Sequence, residues 1–176
     1  GEGGSDMIDG GFGNDIIDGG DNADTITGLW GDDVVGGGEG DDLIDGHQGN
    51  DWVFGGPGDD TVSGGGGDDL VFGGDDHDTV DGGSNNDVAW GGNGNDEIIG
   101  SEEAYGGEGA DEITGTAMVD LLFGEGGTDT IDGLLGNDFL NGGDGDDTIH
   151  GSAGVDVIHG MEGNDVLHGE DRKSVV

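Results

Sequence analysis

GGPGDDTVSGGGGDDLVF, residues 55–72, is one nine-residue phrase stated twice: a glycine-rich turn, two acids, then a triplet centred on Val62 or Val71. Outward from it, the phrase recurs in register along nearly the whole chain. Its sixth position is aspartate at Asp6, Asp15, Asp24, Asp33, Asp42, Asp51, Asp60, Asp69, Asp78, Asp87 and Asp96. After one short interval it resumes at Asp111, Asp120, Asp129, Asp138, Asp147, Asp156 and Asp165. Two residues beyond each aspartate stands an aliphatic residue, from Ile8, Ile17 and Ile26 through Val53, Ala89 and Ile98 to Ile113, Leu140 and Leu167. A short fixed period is the mark of a solenoid, whose units cannot bury an apolar face alone and must stack on one another.

Within each phrase, six residues read as a turn and three as a strand. The triplet alternates out, in, out, with the aliphatic residue pointing inward, as a half-buried strand requires. Glycines at the first, second and fourth positions are expected to permit positive φ and to leave the turn carbonyls uncovered.

The composition says what such a fold must overcome. Among 176 residues, 48 are glycine, 29% are hydrophobic and the formal net charge is -41. On charge and hydropathy alone this is a disordered chain. Its 43 carboxylates face two basic residues, Arg172 and Lys173, so positive charge must come from outside. Nucleic acid and anionic membranes are excluded as that partner, because both would add negative charge. Divalent cations remain, and carboxylate and carbonyl oxygens are hard ligands that suit calcium best. One ion per turn, about 15 to 17 in all, would supply roughly +30 to +34.

The chain has no cysteine, so it holds neither a disulfide framework nor a thiolate metal site. No stretch approaches the length of a membrane-spanning helix, and membrane insertion is not expected. The opening GEGGSDMID lacks the basic and apolar regions of a secretory signal and starts inside a repeat, so a fragment of a longer protein is expected.

The phrases GGFGNDIID (10–18), GGPGDDTVS (55–63), GGGGDDLVF (64–72) and GGDGDDTIH (142–150) resemble the GGxGxDxUx nonapeptide of the RTX calcium-binding family. The resemblance spans residues 1–169, read as one domain, with 170–176 as a C-terminal tail. It implies an all-β, right-handed parallel β-roll with two nonapeptides per coil and calcium in the turns. The family pattern takes its ligands from the aspartate carboxylate and the carbonyls of the first four turn positions, with each ion shared between a turn and the one two repeats later. Carried over here, Asp15 joins Asp33, Asp24 joins Asp42, and so on through the eighteen aspartates named above. The glycine positions carried over are Gly11, Gly13, Gly38, Gly40, Gly56, Gly58, Gly65, Gly67, Gly92, Gly94, Gly107, Gly109, Gly143 and Gly145.

Departures from the pattern mark places where a site is in question. GSEEAY, residues 100–105, is three residues short; aligned as a deletion in the turn, it puts Ala104 in the core slot and Tyr105 outward. Its aspartate is missing, so one or two sites on that side are expected to be lost unless Glu102 or Glu103 substitutes. GTAMVDLLF (115–123) places Met118 where the fourth glycine belongs, which puts the Asp120 site in doubt. Asn22, Asp76 and Asn85 also replace that glycine, but they tolerate left-handed backbone. Leu29 and Trp30 enter a turn that keeps Gly31 and Asp33, where binding is expected.

At a spacing of eighteen the outward residues separate into two faces. One carries Trp52, Phe54, Leu70, Phe72, Trp90, Tyr105 and Phe123. A flat apolar patch of that kind suits self-association, domain packing or a ligand that stacks on rings; its alternative role is ladder packing within the sheet. The other face is rich in threonine. An ice-binding array is disfavoured there by Leu43, Glu97 and Glu112. His150 and His168 fall one coil apart on that face and are read as solvated, as an alternative to a transition-metal pair. His47 and His77 fall in turns and look incidental.

No catalytic constellation is present: HExxH and GxSxG are absent, and the serines lack a paired base. The chain is therefore read as non-enzymatic: a calcium-binding module of an extracellular, secreted or surface bacterial protein, exported by type I secretion. The alternatives are an adhesive protein assembling through its aromatic face and a module attached to a secreted enzyme. No C-terminal secretion signal is evident in EDRKSVV.

Overall fold

Stacking begins with the triplets. In a computed structural model, which describes residues 3–169, they form two long parallel sheets of ten and nine strands, with no helix among the described residues. Successive phrases alternate between the sheets. Met7–Phe12 pairs with Thr25–Trp30 in the first sheet, and Ile16–Asp21 pairs with Val34–Glu39 in the second. The register is eighteen residues per coil, which is the β-roll the period implies. Residues 1–2 and the expected tail 170–176 lie outside the described residues.

The inward residue of each triplet forms a single column between the sheets. Sixteen apolar side chains are buried there, from Ile26 through Val53, Ala89, Ala104 and Leu122 to Ile158, with Ile8, Ile17 and Leu167 capping the column half-buried. Each coil thus contributes two core residues, a thin core for so much glycine. The short repeat holds register: Ala104 pairs with Ala89 and Tyr105 with Trp90, so the three missing residues come out of the turn.

Glycine serves two separate needs in the turns, and this corrects one expectation. The second and fourth positions do require positive φ: the fourteen carried-over glycines have φ between 104° and 147°. Asn22, Asp76 and Asn85 adopt φ of 77°, 80° and 96° at the fourth position, as expected of them. The first glycine has ordinary φ and is needed for room. A Cβ on Gly37 would lie 2.2 Å from Asp42 Oδ2 and 2.8 Å from the Gly55 carbonyl oxygen.

Candidate metal centre

Each aspartate sits at the end of a turn, just before its triplet, and the fold stacks it on the acid one coil away: eighteen residues on in the regular coils, fifteen across the short repeat, where Asp96 meets Asp111 and Asp87 meets Glu102. The backbone N–H of Asp15 donates to Asp33 Oδ1 at 2.8 Å, that of Asp24 to Asp42 Oδ1 at 2.7 Å, and that of Asp33 to Asp51 Oδ1 at 2.7 Å. On the edge that follows the second sheet this ladder runs unbroken from Asp6 to Asp165. Fifteen of the aspartates are buried, nearly as many as the apolar core residues.

One carboxylate oxygen of each pair is thus accounted for, and the other is not. Oδ2 is buried without a hydrogen-bond partner in fourteen aspartates, among them Asp15, Asp51, Asp78, Asp111 and Asp147. A buried carboxylate oxygen with no donor is costly, and natural chains keep such groups where something else satisfies them. The first glycine of the turn shows what space is kept for it. A point at the missing Cβ of Gly28 is 2.5 Å from Asp33 Oδ2 and 2.7 Å from the Gly46 carbonyl oxygen in the next coil. The same cradle, pairing the turn's own Oδ2 with the next coil's carbonyl, recurs at Gly10, Gly19, Gly37, Gly46, Gly55, Gly64, Gly73, Gly91, Gly106, Gly124 and Gly142. That makes twelve. Each has an orphaned carboxylate oxygen and a carbonyl oxygen converging over a first glycine where a methyl group would clash, an all-oxygen donor set that fits calcium.

The electrostatics agree. Burial, with neighbouring carboxylates adding to it and the N–H bond from the adjacent coil opposing it, pushes Asp51, Asp60, Asp129 and Asp138 up to about 6. The same causes push Asp78, Asp87 and Asp111 up to about 7. These carboxylates resist being charged unless a cation accompanies them.

The edge that follows the first sheet is regular only as far as the short repeat. There Glu102 occupies the aspartate slot, and its Oε2 accepts the Asp87 N–H at 3.0 Å. Glu103 does not substitute: it lies in the outward slot, where its carboxylate accepts the Tyr105 hydroxyl hydrogen bond. The next turn, 115–120, folds onto itself. Thr116 donates both its N–H and its hydroxyl to Asp120, at 2.8 Å each, so neither carboxylate oxygen is left over. Turns 133–138 and 151–156, which read as ordinary, also differ. Leu135–Gly136 pairs with Ala153–Gly154 as a small third sheet, and Asp132 Oδ1 accepts from the Leu134 N–H and the Ser152 hydroxyl. No carbonyl joins the carboxylate within about 3 Å of the first-glycine Cβ position at Gly115, Gly133 or Gly151.

Sequence reasoning missed a second ladder, formed by the fifth turn position. Asn14 Oδ1 accepts the Asp32 N–H, Asp32 Oδ1 accepts the Asn50 N–H, and Asn50 Oδ1 accepts the Asp68 N–H, at 3.0 to 3.1 Å. It points the opposite way along the roll from the aspartate ladder, so adjacent acids brace the coils above and below. The signal was the recurrence of Asn or Asp one residue before most of the sixth-position aspartates. His77 belongs to this ladder, accepting the Asn95 N–H at Nδ1, and is not incidental.

On the aromatic face, Phe54, Phe72, Trp90, Tyr105 and Phe123 stack ring on ring, with centroids 4.4 to 5.6 Å apart and planes within 7°. Interior rings therefore offer edges rather than faces, and stacking of a ligand onto them is sterically closed. His150 and His168 also stack, 4.5 Å apart, and no cluster of three metal-ligating side chains is present among the described residues.

A parallel β-roll whose turns line up unpaired, buried carboxylate oxygens against carbonyls is a metal-binding solenoid. The family profile of the RTX calcium-binding nonapeptide repeat, in units of four copies, matches residues 1–35, 36–71, 72–103, 105–140 and 141–171, and the chain belongs to that family. No curated protein matches it. It is a calcium-binding repeat module.

Proposed function

We propose that the chain is a calcium-triggered folding module of a secreted or surface bacterial protein, expanded where calcium is scarce and stacked into the roll outside the cell. The observation that carries this reading is the set of twelve cradles. Their carboxylates come from Asp15, Asp24, Asp33, Asp42, Asp51, Asp60, Asp69, Asp78, Asp96, Asp111, Asp129 and Asp147, each with an unpartnered, buried Oδ2. When bound, calcium supplies the positive charge that these buried oxygens lack. The chain's own residues orient the carboxylates through the N–H ladders, and the first glycines keep a side chain from crowding the converging oxygens. Twelve ions would contribute about +24 against the net charge of -41, fewer than the fifteen to seventeen expected from counting aspartates. Extracellular modules of this kind bind calcium at about 10⁻⁴ to 10⁻³ M, far above cytosolic levels. The chain performs no catalytic step in this reading. Metal analysis of protein dialysed against millimolar calcium should return about twelve ions per chain, and fewer than half that number would defeat the proposal.

A second reading is favoured by the exposed residues beside the aromatic ladder. Trp52 is 53% exposed and Leu121 41%, members of an apolar row that Glu103 interrupts. Calcium-loaded rolls would then associate through this face. Sedimentation should show a calcium-dependent dimer or larger species that Trp52→Asp returns to monomer. A wild-type chain that stays monomeric at high concentration in calcium would end this reading.

A further inference from the structure

The short repeat was expected to lose a site. The atoms around Gly82 argue otherwise. Gly82 opens the turn that ends at Asp87, and the coil above it is the shortened GSEEAY. A Cβ on Gly82 would lie 2.3 Å from Ser101 Oγ, 2.7 Å from the Gly100 carbonyl oxygen and 2.8 Å from Asp87 Cβ. One coil earlier on the same edge, the point above Gly64 is 2.6 Å from Asp69 Oδ2 and 2.6 Å from the Gly82 carbonyl oxygen. The carbonyl is thus kept, and a hydroxyl has entered the cradle beside the aspartate.

Two buried polar side chains border the point above Gly82. Asp87 is 1% exposed; its Oδ1 accepts the Asp69 N–H at 2.9 Å, and its Oδ2 is buried without a hydrogen-bond partner. Ser101 is also 1% exposed, and its hydroxyl makes only a long 3.5 Å contact, as donor, to the Ile99 carbonyl. Its lone pairs remain available on the cradle side. A serine hydroxyl enclosed in a turn with so little to bond is as unusual as the orphaned carboxylate oxygen of Asp87. Glu102 meanwhile takes the structural task of the missing aspartate by accepting the Asp87 N–H. That leaves Asp87 Oδ2 and Ser101 Oγ without a structural task of their own.

We infer that the shortened repeat completes a thirteenth divalent-cation site, held by the Asp87 carboxylate, the Gly100 carbonyl oxygen and the Ser101 hydroxyl. The inference rests on the calcium reading of the regular turns. The donors are all oxygen, so the site suits calcium rather than a thiophilic or imidazole-seeking metal. The site that is lost lies one coil further on, at turn 115–120, where Thr116 consumes both oxygens of Asp120.

The test is anomalous diffraction at long wavelength, where calcium scatters, on crystals of the whole chain grown in calcium. The wild type should show a peak bounded by Gly82, Asp87 and Ser101, alongside peaks in the regular turns that serve as internal standards. Ser101→Ala removes one donor and little volume; it should lower that peak several-fold and leave the others unchanged. Ser101→Asp should restore it. Peaks in the regular turns with none at Gly82 in the wild type would overturn the inference alone, as would a full-height peak in Ser101→Ala. An absence of peaks everywhere would overturn the calcium reading beneath it as well.

Discussion

Stripped of divalent cations at neutral pH, the chain will scatter as an expanded coil, and added calcium will restore its β-sheet circular dichroism in one steep transition. The core cannot hold the roll alone. Sixteen buried apolar side chains, two of them alanine, are matched by fifteen buried aspartates that repel one another. At a calcium concentration ten times its dissociation constant, a site that exists only in the folded chain adds about 1.4 kcal/mol. Twelve such sites would add up to about 17 kcal/mol, more than the roughly 5 to 15 kcal/mol of net stability typical of a whole domain. Because each cradle takes its carbonyl from the next coil, an ion cannot bind well until two coils have stacked. Nearest-neighbour coupling of this kind makes solenoids cooperative. A Hill coefficient well above one is therefore expected, and β-sheet signal that survives exhaustive chelation would contradict it.

Most of this architecture was legible because one clock sets both the core and the carboxylates. The inward column from Ile26 to Ile158 and the pairing of Ala104 with Ala89 follow from counting in nines and eighteens. Conformation inside a turn was less legible, since it depends on which hydrogen bonds compete locally. Thr116 in GTAMVD can reach Asp120 four residues on, and nothing in the repeat pattern weighs that bond against the ladder. Turns 133–138 and 151–156 keep the aspartate and the fourth glycine yet pair with each other, with Asp132 fixing Leu134 and Ser152. Of the two reasons read for the first glycine, backbone freedom fails and the need to leave the carbonyls uncovered holds. A missing Cβ matters there because two oxygens from different coils converge on its place, a contact between residues eighteen apart that no local rule of backbone freedom contains.

Acid should do part of what calcium does. Burial raises the aspartates of the metal-free roll, with Asp78, Asp87 and Asp111 reaching about 7 from an ordinary value of 3.8. A carboxylate raised on folding contributes stability that is fully present below its unfolded value. That stability is lost as pH rises through the folded value. The metal-free roll is accordingly at its weakest above pH 7 and strengthens on descent through the window from 7 towards 4. In calcium-free buffer the chain should gain β-sheet signal between pH about 8 and about 5, a range that stays above its isoelectric point of about 4.1. The calcium midpoint should behave differently. Bound calcium holds the aspartates deprotonated, and in the unfolded chain they are also deprotonated above about pH 5, given an ordinary value of 3.8. From pH about 8 to about 6, where the calcium-free chain is still expanded, few protons are exchanged between those two states and the midpoint stays nearly flat. It climbs only below about pH 5, where the unfolded chain takes up protons that binding must expel. Circular dichroism titrations at fixed pH check both limbs. A calcium-free chain more ordered at pH 8 than at pH 5, or a midpoint that moves tenfold between pH 8 and pH 6, would show that the buried carboxylates are not what opposes folding.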